Sequence, residues 1–205
     1  MKMLFITFFL LFNSGEENDA FKHKSVKLFS DIDSELTQNK IVHEYIYIVL
    51  PEYVTYDITQ NKIEIIAVKF LKRVNLDAAV KISLGPFQMS SNFVYNNILE
   101  SKLYKNDLDF ILIKKYGINY MVDNIDKYSE LKFQIKILKC FIENNKFASV
   151  NFRSKLIKYL YLYNTGKILT IKTNINTPIF SKIESNRLSY VNWGIFFYDN
   201  KYLFD

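Results

Sequence analysis

A glycine followed directly by a proline interrupts this chain in a region otherwise made of helix-forming runs. The pair lies in the segment Ile82-Ser83-Leu84-Gly85-Pro86-Phe87-Gln88-Met89-Ser90. Glycine takes backbone conformations closed to other residues, and proline fixes φ and removes a backbone donor. The segment therefore predicts a rigid, shaped turn that directs Phe87 and Gln88. The alternative is an ordinary connector between helices, in which Phe87 and Met89 fill the core.

The spacing of apolar residues predicts a mostly helical fold. The chain has 205 residues, 49% of them hydrophobic, which is enough for one domain with a sizeable core. Helical periodicity predicts helices over residues 61–74, 90–99, 127–143, 152–163 and 189–198. It favours a helix over 37–51, where β-branched residues leave a strand open, and it leaves helix or strand open for 107–115. Ser90 or Ser91 is the expected N-cap of the helix that ends at residue 99, and Gly166 is the expected left-handed cap after 152–163. In the helix over 61–74, one apolar face contains Ile63, Ile66, Ala67, Phe70 and Leu71. We expect a single mostly α domain with a substrate cleft and at most a small β element.

The positive net charge favours several classes of anionic partner and does not decide between them. A formal net charge of +6 favours nucleic acid, a membrane surface or an acidic cell-wall polymer. Cys140 is the only cysteine, so no intrachain disulfide and no cysteine-based zinc site is expected, and its place in a helical apolar run predicts a buried thiol. Because only His23 and His43 are present, a histidine-rich metal site is not expected either. We expect no metal and no cofactor.

The N-terminus has the pattern of an export signal. Lys2 precedes an apolar run over residues 4–12, and small residues follow that run. A bilayer span needs about 20 apolar residues, so this run is too short to cross a membrane. We predict a signal peptide over residues 1–19 and an exported, periplasmic or secreted domain over 20–205. No transmembrane segment is expected after cleavage.

Three short motifs resemble those of one enzyme superfamily. The stretch from Ser83 to Gln88 has the form Ser-x-Gly-x-x-Gln, and Tyr163-Asn164-Thr165-Gly166 follows it downstream. Upstream of both, Glu52 lies in Pro51-Glu52-Tyr53-Val54-Thr55-Tyr56, at the predicted end of a helix that Pro51 stops. Together the motifs resemble the lysozyme-like superfamily of goose-type lysozymes and lytic transglycosylases, in a divergent bacterial branch.

The resemblance implies cleavage of the β-1,4 glycan of peptidoglycan. Glu52 would be the general acid/base, with Glu64 as the main alternative and Glu44 as a further one. The remaining motif residues would bind the substrate: Ser83, Gly85, Gln88, Tyr163 and Asn164. A hydrolase needs a second carboxylate, for which Asp57, Glu64 and Asp77 are candidates, whereas a lytic transglycosylase works with one glutamate.

Two other functions remain open from the sequence. In the first alternative, the chain is a catalytically inactive exported protein that binds or assembles cell-wall glycan. A basic nucleic-acid-binding domain is the third possibility, but no binding motif is recognisable and the export signal argues against it. Peptidoglycan strands are therefore the expected partner, and nucleic acid is not.

Overall fold

The computed structural model describes residues 23–24, 26–30, 45–148, 151–166 and 185–199. Residues 23–24 and 26–30 are helical, and a 3-10 helix spans Ile46–Ile48. The further elements, in chain order, are α1 (Leu50–Thr55), α2 (Ile58–Val74), α3 (Leu76–Ala79), β1 (Ser83–Leu84), β2 (Met89–Ser90), α4 (Ser91–Glu100), α5 (Leu108–Asp123), α6 (Ile125–Tyr128), α7 (Leu131–Asn144), α8 (Phe152–Thr165) and α9 (Ser185–Asp199). The expected mostly helical fold with a small β element is confirmed. The predicted signal peptide, the alternative acid Glu44 and residues 37–44 of the first predicted helix lie outside the described residues.

Helix ends form where side chains satisfy free backbone groups. The carboxylate of Asp57 accepts hydrogen bonds from the amides of Thr59 and Gln60 at the start of α2. Ser90, and not the adjacent Ser91, is the N-cap of α4, and its hydroxyl accepts a hydrogen bond from the amide of Phe93 at 3.2 Å. Gly166 ends α8 in the left-handed conformation, as its position after Tyr163-Asn164-Thr165 predicted.

Two predicted element boundaries need correction, and one undecided stretch is resolved. Pro51 does not end a helix; it lies in the first turn of α1, where the missing N–H costs nothing and the fixed φ suits the helix. Glu52 therefore begins a helix and does not follow one. The helix predicted over 127–143 divides into α6 and α7, and the undecided stretch 107–115 forms the first half of α5.

The hairpin of β1 and β2 joins two hydrophobic cores. The smaller core lies between α2, α3, α5 and α6, and Leu84 of β1 belongs to it. The larger core includes α1, α4, α7, α8 and α9 and contains both Phe87 and Met89. Cys140 is fully buried in this larger core, which confirms its prediction as a core thiol. The turn predicted from Gly85-Pro86 thus has its ends fixed by separate groups of helices.

Helix α2 forms as predicted, but Ile63, Ile66 and Phe70 of its predicted apolar face are exposed, whereas Leu71 packs against the smaller core. Four side chains at helical spacing lie 63 to 69% exposed, and we call them the α2 stripe: Ile63, Ile66, Phe70 and Val74. The opposite side of α2 packs into the smaller core through Val68, and Lys72 of that side forms an ion pair with Asp123 of α5. None of the described helices is both long enough and apolar enough to cross a membrane.

Candidate active site

The turn between β1 and β2 is a tight hairpin built on two left-handed residues. Ser83 pairs with Ser90, and Leu84 pairs with Met89, in antiparallel register. Gly85 has φ +74°, and Gln88 has φ +50° although it carries a side chain. The backbone amide and the side-chain amide of Gln88 both donate to the carbonyl oxygen of Gly85, at 3.0 and 3.1 Å. These bonds stabilise a backbone conformation that Gln88 would not adopt alone.

Two buried amide side chains fix this turn to the surrounding helices. Gln134 of α7 is fully buried; its carbonyl oxygen accepts from the amide of Phe87 at 2.8 Å, and its NH₂ group donates to the carbonyl of Leu84 at 2.6 Å. Asn61 of α2 accepts from the amide of Gly85 at 2.7 Å. A Cβ on Gly85 would come within 2.4 Å of the Gln134 amide nitrogen. Only glycine fits this approach without displacing its neighbours.

Glu52 lies in the first turn of α1 in a poorly solvated setting. Burial is the main reason that its pKa rises from 4.5 to about 7, and the negative charge of Glu64 adds to the rise. Its neighbour Tyr53 packs edge-on against Phe87 of the turn, with ring centroids 6.3 Å apart. No described residue forms a hydrogen bond or ion pair with the Glu52 carboxyl group. A pKa of about 7 keeps the side chain near half-protonation at neutral pH.

Glu64 projects from α2 one helical turn after Asn61. One carboxylate oxygen accepts a hydrogen bond from the side chain of Gln60 at 2.7 Å. The other oxygen is buried and has no hydrogen-bond partner among the described residues. Asn61 and Glu64 thus bring the turn and a second carboxylate to one side of α2. Of the three candidates for a second carboxylate, Glu64 is the one whose charge acts on Glu52.

Tyr163 connects α8 to both the turn and Glu52. Its hydroxyl donates to the carbonyl oxygen of Phe87. Burial, and then the charge of Glu52, raise the pKa of Tyr163 well above its usual value. Tyr190 of α9 stacks on the Tyr163 ring with centroids 6.1 Å apart and donates to the carbonyl of Ile48 at 2.6 Å. Burial followed by the charge of Glu52 also raises the pKa of Tyr190.

The predicted site residues divide into two groups. The structure brings together Glu52, the Gly85 to Gln88 turn, Tyr163 and the alternative acid Glu64. Asn164 is exposed, and no described residue forms a hydrogen bond with its side chain. Ser83 is half-buried and joins the site through its backbone pairing with Ser90. The other candidate carboxylates lie elsewhere: Asp57 caps α2, and Asp77 is exposed in the first turn of α3.

Three structurally important residues were not predicted from the sequence. The sequence indicates Gln134 most clearly, because a polar residue between Leu131 and Leu138 on the apolar face of a helix is expected to be buried and hydrogen-bonded. The sequence indicates Asn61 less clearly, because an amide in the first turn of a helix is common. Tyr190 lies in no motif, and its contacts depend on how α9 packs against α8.

Among the described residues, no group of three or more histidine, cysteine, aspartate or glutamate side chains is arranged to hold a metal ion. Comparisons of the chain with protein-family models, curated proteins and solved structures give no match.

Proposed function

We propose that this protein is a glycosidase that cleaves the β-1,4 glycan of peptidoglycan, as a lysozyme or a lytic transglycosylase, with Glu52 as general acid/base. The observation that supports it most is the raised pKa of Glu52, about 7, beside the constrained turn and Tyr163. A general acid is most effective when its pKa lies near the working pH. An ordinary exposed glutamate would be ionised at neutral pH and would have no proton to give.

In this proposal each group near Glu52 has a distinct task. Glu52 protonates the glycosidic oxygen as the glycosidic bond breaks. The resulting carboxylate then accepts a proton from the nucleophile, which is water in a hydrolase and the 6-hydroxyl of the muramic acid in a lytic transglycosylase. Glu64 favours the protonated form of Glu52 through its negative charge. Tyr163 fixes the turn through its bond to Phe87 and, because its pKa is raised, does not ionise in competition with Glu52.

The turn provides the sugar-binding groups. The NH₂ group of the half-buried Gln88 is used within the turn, while its side-chain oxygen accepts no hydrogen bond from a described residue. An amide oxygen held in a fixed position suits a sugar hydroxyl, because it accepts a hydrogen bond without ionising. Asn164 belongs to the proposal as a residue at the edge of the binding surface.

Release of soluble fragments from purified peptidoglycan tests the proposal. We expect the wild type to release them and Glu52→Gln to lose about a hundredfold or more of the rate, since a neutral amide cannot transfer the proton. Glu100→Gln is the matched control, because Glu100 is an exposed glutamate at the end of α4. Equal release by the wild type and Glu52→Gln would contradict the assignment. Loss of release in Glu64→Gln alone would make Glu64 the acid.

The products distinguish the two types of enzyme. Fragments that end in a 1,6-anhydro ring indicate a lytic transglycosylase, and fragments with a free reducing end indicate a hydrolase. Sedimentation of the protein with cell walls, with no release by any variant, would support the inactive glycan-binding alternative. The same wall preparation serves both assays, so binding and cleavage are compared directly.

A further inference from the structure

The α2 stripe is an apolar surface with a fixed orientation. Its four members repeat at intervals of three and four residues, so they lie along one side of α2 over about 16 Å. Val68 on the opposite side is fully buried, which prevents the helix from turning the stripe inward. Scattered exposed apolar residues are normal, but a continuous exposed row on one helix marks a surface that contacts something.

One edge of the stripe is basic. Lys62, Lys69 and Arg73 follow each other at helical spacing on that edge, which we call the basic flank. Lys69 pairs with Asp126 at 2.5 Å. Lys62 and Arg73 are exposed, and neither forms an ion pair with a described residue. The single acidic residue of α2, Glu64, lies on the other side of the stripe.

We infer that the α2 stripe and the basic flank dock the protein on an anionic membrane surface. A helix with an apolar row beside lysine and arginine lies in the plane of a bilayer, with the apolar side chains among the lipid tails and the cations at the headgroups. Each cation near an anionic bilayer is attracted to it, and the net charge of +6 strengthens that attraction. A second copy of the chain has the same positive charge and is repelled by it.

The inference does not depend on the proposed function. Docking through the stripe needs the exposed side of α2, whereas the candidate site uses Asn61 and Glu64 on another side of the same helix. If the membrane docking and the proposed glycosidase function are both correct, α2 docks on the membrane and also carries the second carboxylate, Glu64. A docked protein would then act on glycan close to the membrane surface.

Vesicle sedimentation tests the docking. The full-length protein is mixed with vesicles of phosphatidylcholine alone, or of phosphatidylcholine with phosphatidylglycerol. We expect binding to the anionic vesicles, weak binding to the neutral ones, and loss of the difference at high salt. Equal sedimentation with both kinds of vesicle, or none with either, overturns the inference.

Two sets of variants identify the surface. Phe70→Ser is expected to weaken binding about tenfold through lost apolar contact, and Lys62→Gln with Arg73→Gln about thirtyfold on anionic vesicles only. Leu108→Ser is the matched control, because Leu108 is 67% exposed on α5, which packs against the opposite side of α2. All these residues are exposed, so thermal unfolding should be unchanged.

The variants also separate lipid from protein partners. Unchanged binding to anionic vesicles in Phe70→Ser and in the variant with Lys62→Gln and Arg73→Gln overturns the inference. Sedimentation velocity without vesicles measures self-association. A dimer that Phe70→Ser dissociates, together with no vesicle binding, also overturns it and assigns the α2 stripe to a second copy of the chain.

Discussion

The hydroxyl of Tyr163 donates a hydrogen bond to the carbonyl oxygen of Phe87, across 76 residues of sequence. The bond joins the last turn of α8 to the hairpin turn, and burial, followed by the charge of Glu52, raises the pKa of Tyr163. The turn therefore contacts both other motifs, through this bond to Tyr163 and through the packing of Tyr53 on Phe87. Because of this bond, a variant of Tyr163 tests whether the turn contributes to stability, to activity or to both.

Tyr163→Phe should lower both stability and activity. Loss of this partly buried hydrogen bond should cost about 1 kcal/mol of unfolding free energy, and a looser turn should lower the cleavage rate. Tyr159→Phe is the control, since the buried Tyr159 hydroxyl donates to the carbonyl of Ile142 at 3.2 Å within the core. We expect a similar loss of stability in urea unfolding for the control, but an unchanged cleavage rate. Equal cleavage by both variants would place Tyr163 outside the site.

Gly85→Ala should be far more destabilising than Gly166→Ala. Both glycines have a similar positive φ, +74° and +67°, so both variants include a backbone strain of about 1 kcal/mol. At Gly166 nothing lies within 4 Å of the new Cβ, whereas at Gly85 the new Cβ meets Gln134 and the carbonyl of Ser129 at 2.4 Å. We expect a total loss of about 3 kcal/mol or more at Gly85. Urea unfolding measures the two losses, and equal values would show that the turn relaxes.

Local features of the fold could be predicted from the sequence, whereas the partners of the turn could not. Gly85-Pro86, the Ser90 cap and the Gly166 cap depend on backbone preferences of a few neighbouring residues. The bonds from Gln134 to Phe87 and Leu84 join residues 47 and 50 positions apart, and no periodicity encodes such pairs. Pro51 was misassigned because proline is compatible with both the end and the first turn of a helix.

The α2 stripe shows a second limit of sequence analysis. The period of Ile63, Ile66 and Phe70 indicates a helix correctly, but it does not say which side of the helix meets the core. That side is decided by Val68 and by the polar residues that bind the turn and α5, namely Asn61 and Lys72. An apolar face that serves an external contact has the same pattern as one that fills a core.

The cleavage rate should fall as the pH rises through about 7. The proposed mechanism needs protonated Glu52, and its pKa of about 7 sets the midpoint of that fall. In Glu64→Gln one of the two causes of the raised pKa is removed, so the midpoint should move to lower pH. Burial is the larger cause and remains, so the midpoint should stay above 4.5. A profile of kcat/KM against pH for both proteins measures the shift, and an unmoved midpoint would remove Glu64 from the proposed mechanism.

The stability of Glu52→Gln relative to the wild type should depend on pH in a defined direction. The pKa of Glu52 is raised on folding from 4.5 to about 7, so the folded state binds its proton more tightly than the unfolded state does. The wild type keeps the associated stability below pH 4.5 and loses it as the pH rises through 7, by about 3 kcal/mol in total. Glutamine is neutral throughout and avoids this loss. The unfolding free energy of Glu52→Gln should therefore rise relative to the wild type by about that amount between acidic and alkaline buffer, as measured by urea unfolding. A pH-independent difference for Glu52→Gln would mean that the Glu52 carboxyl group is as well solvated in the folded state as in the unfolded chain.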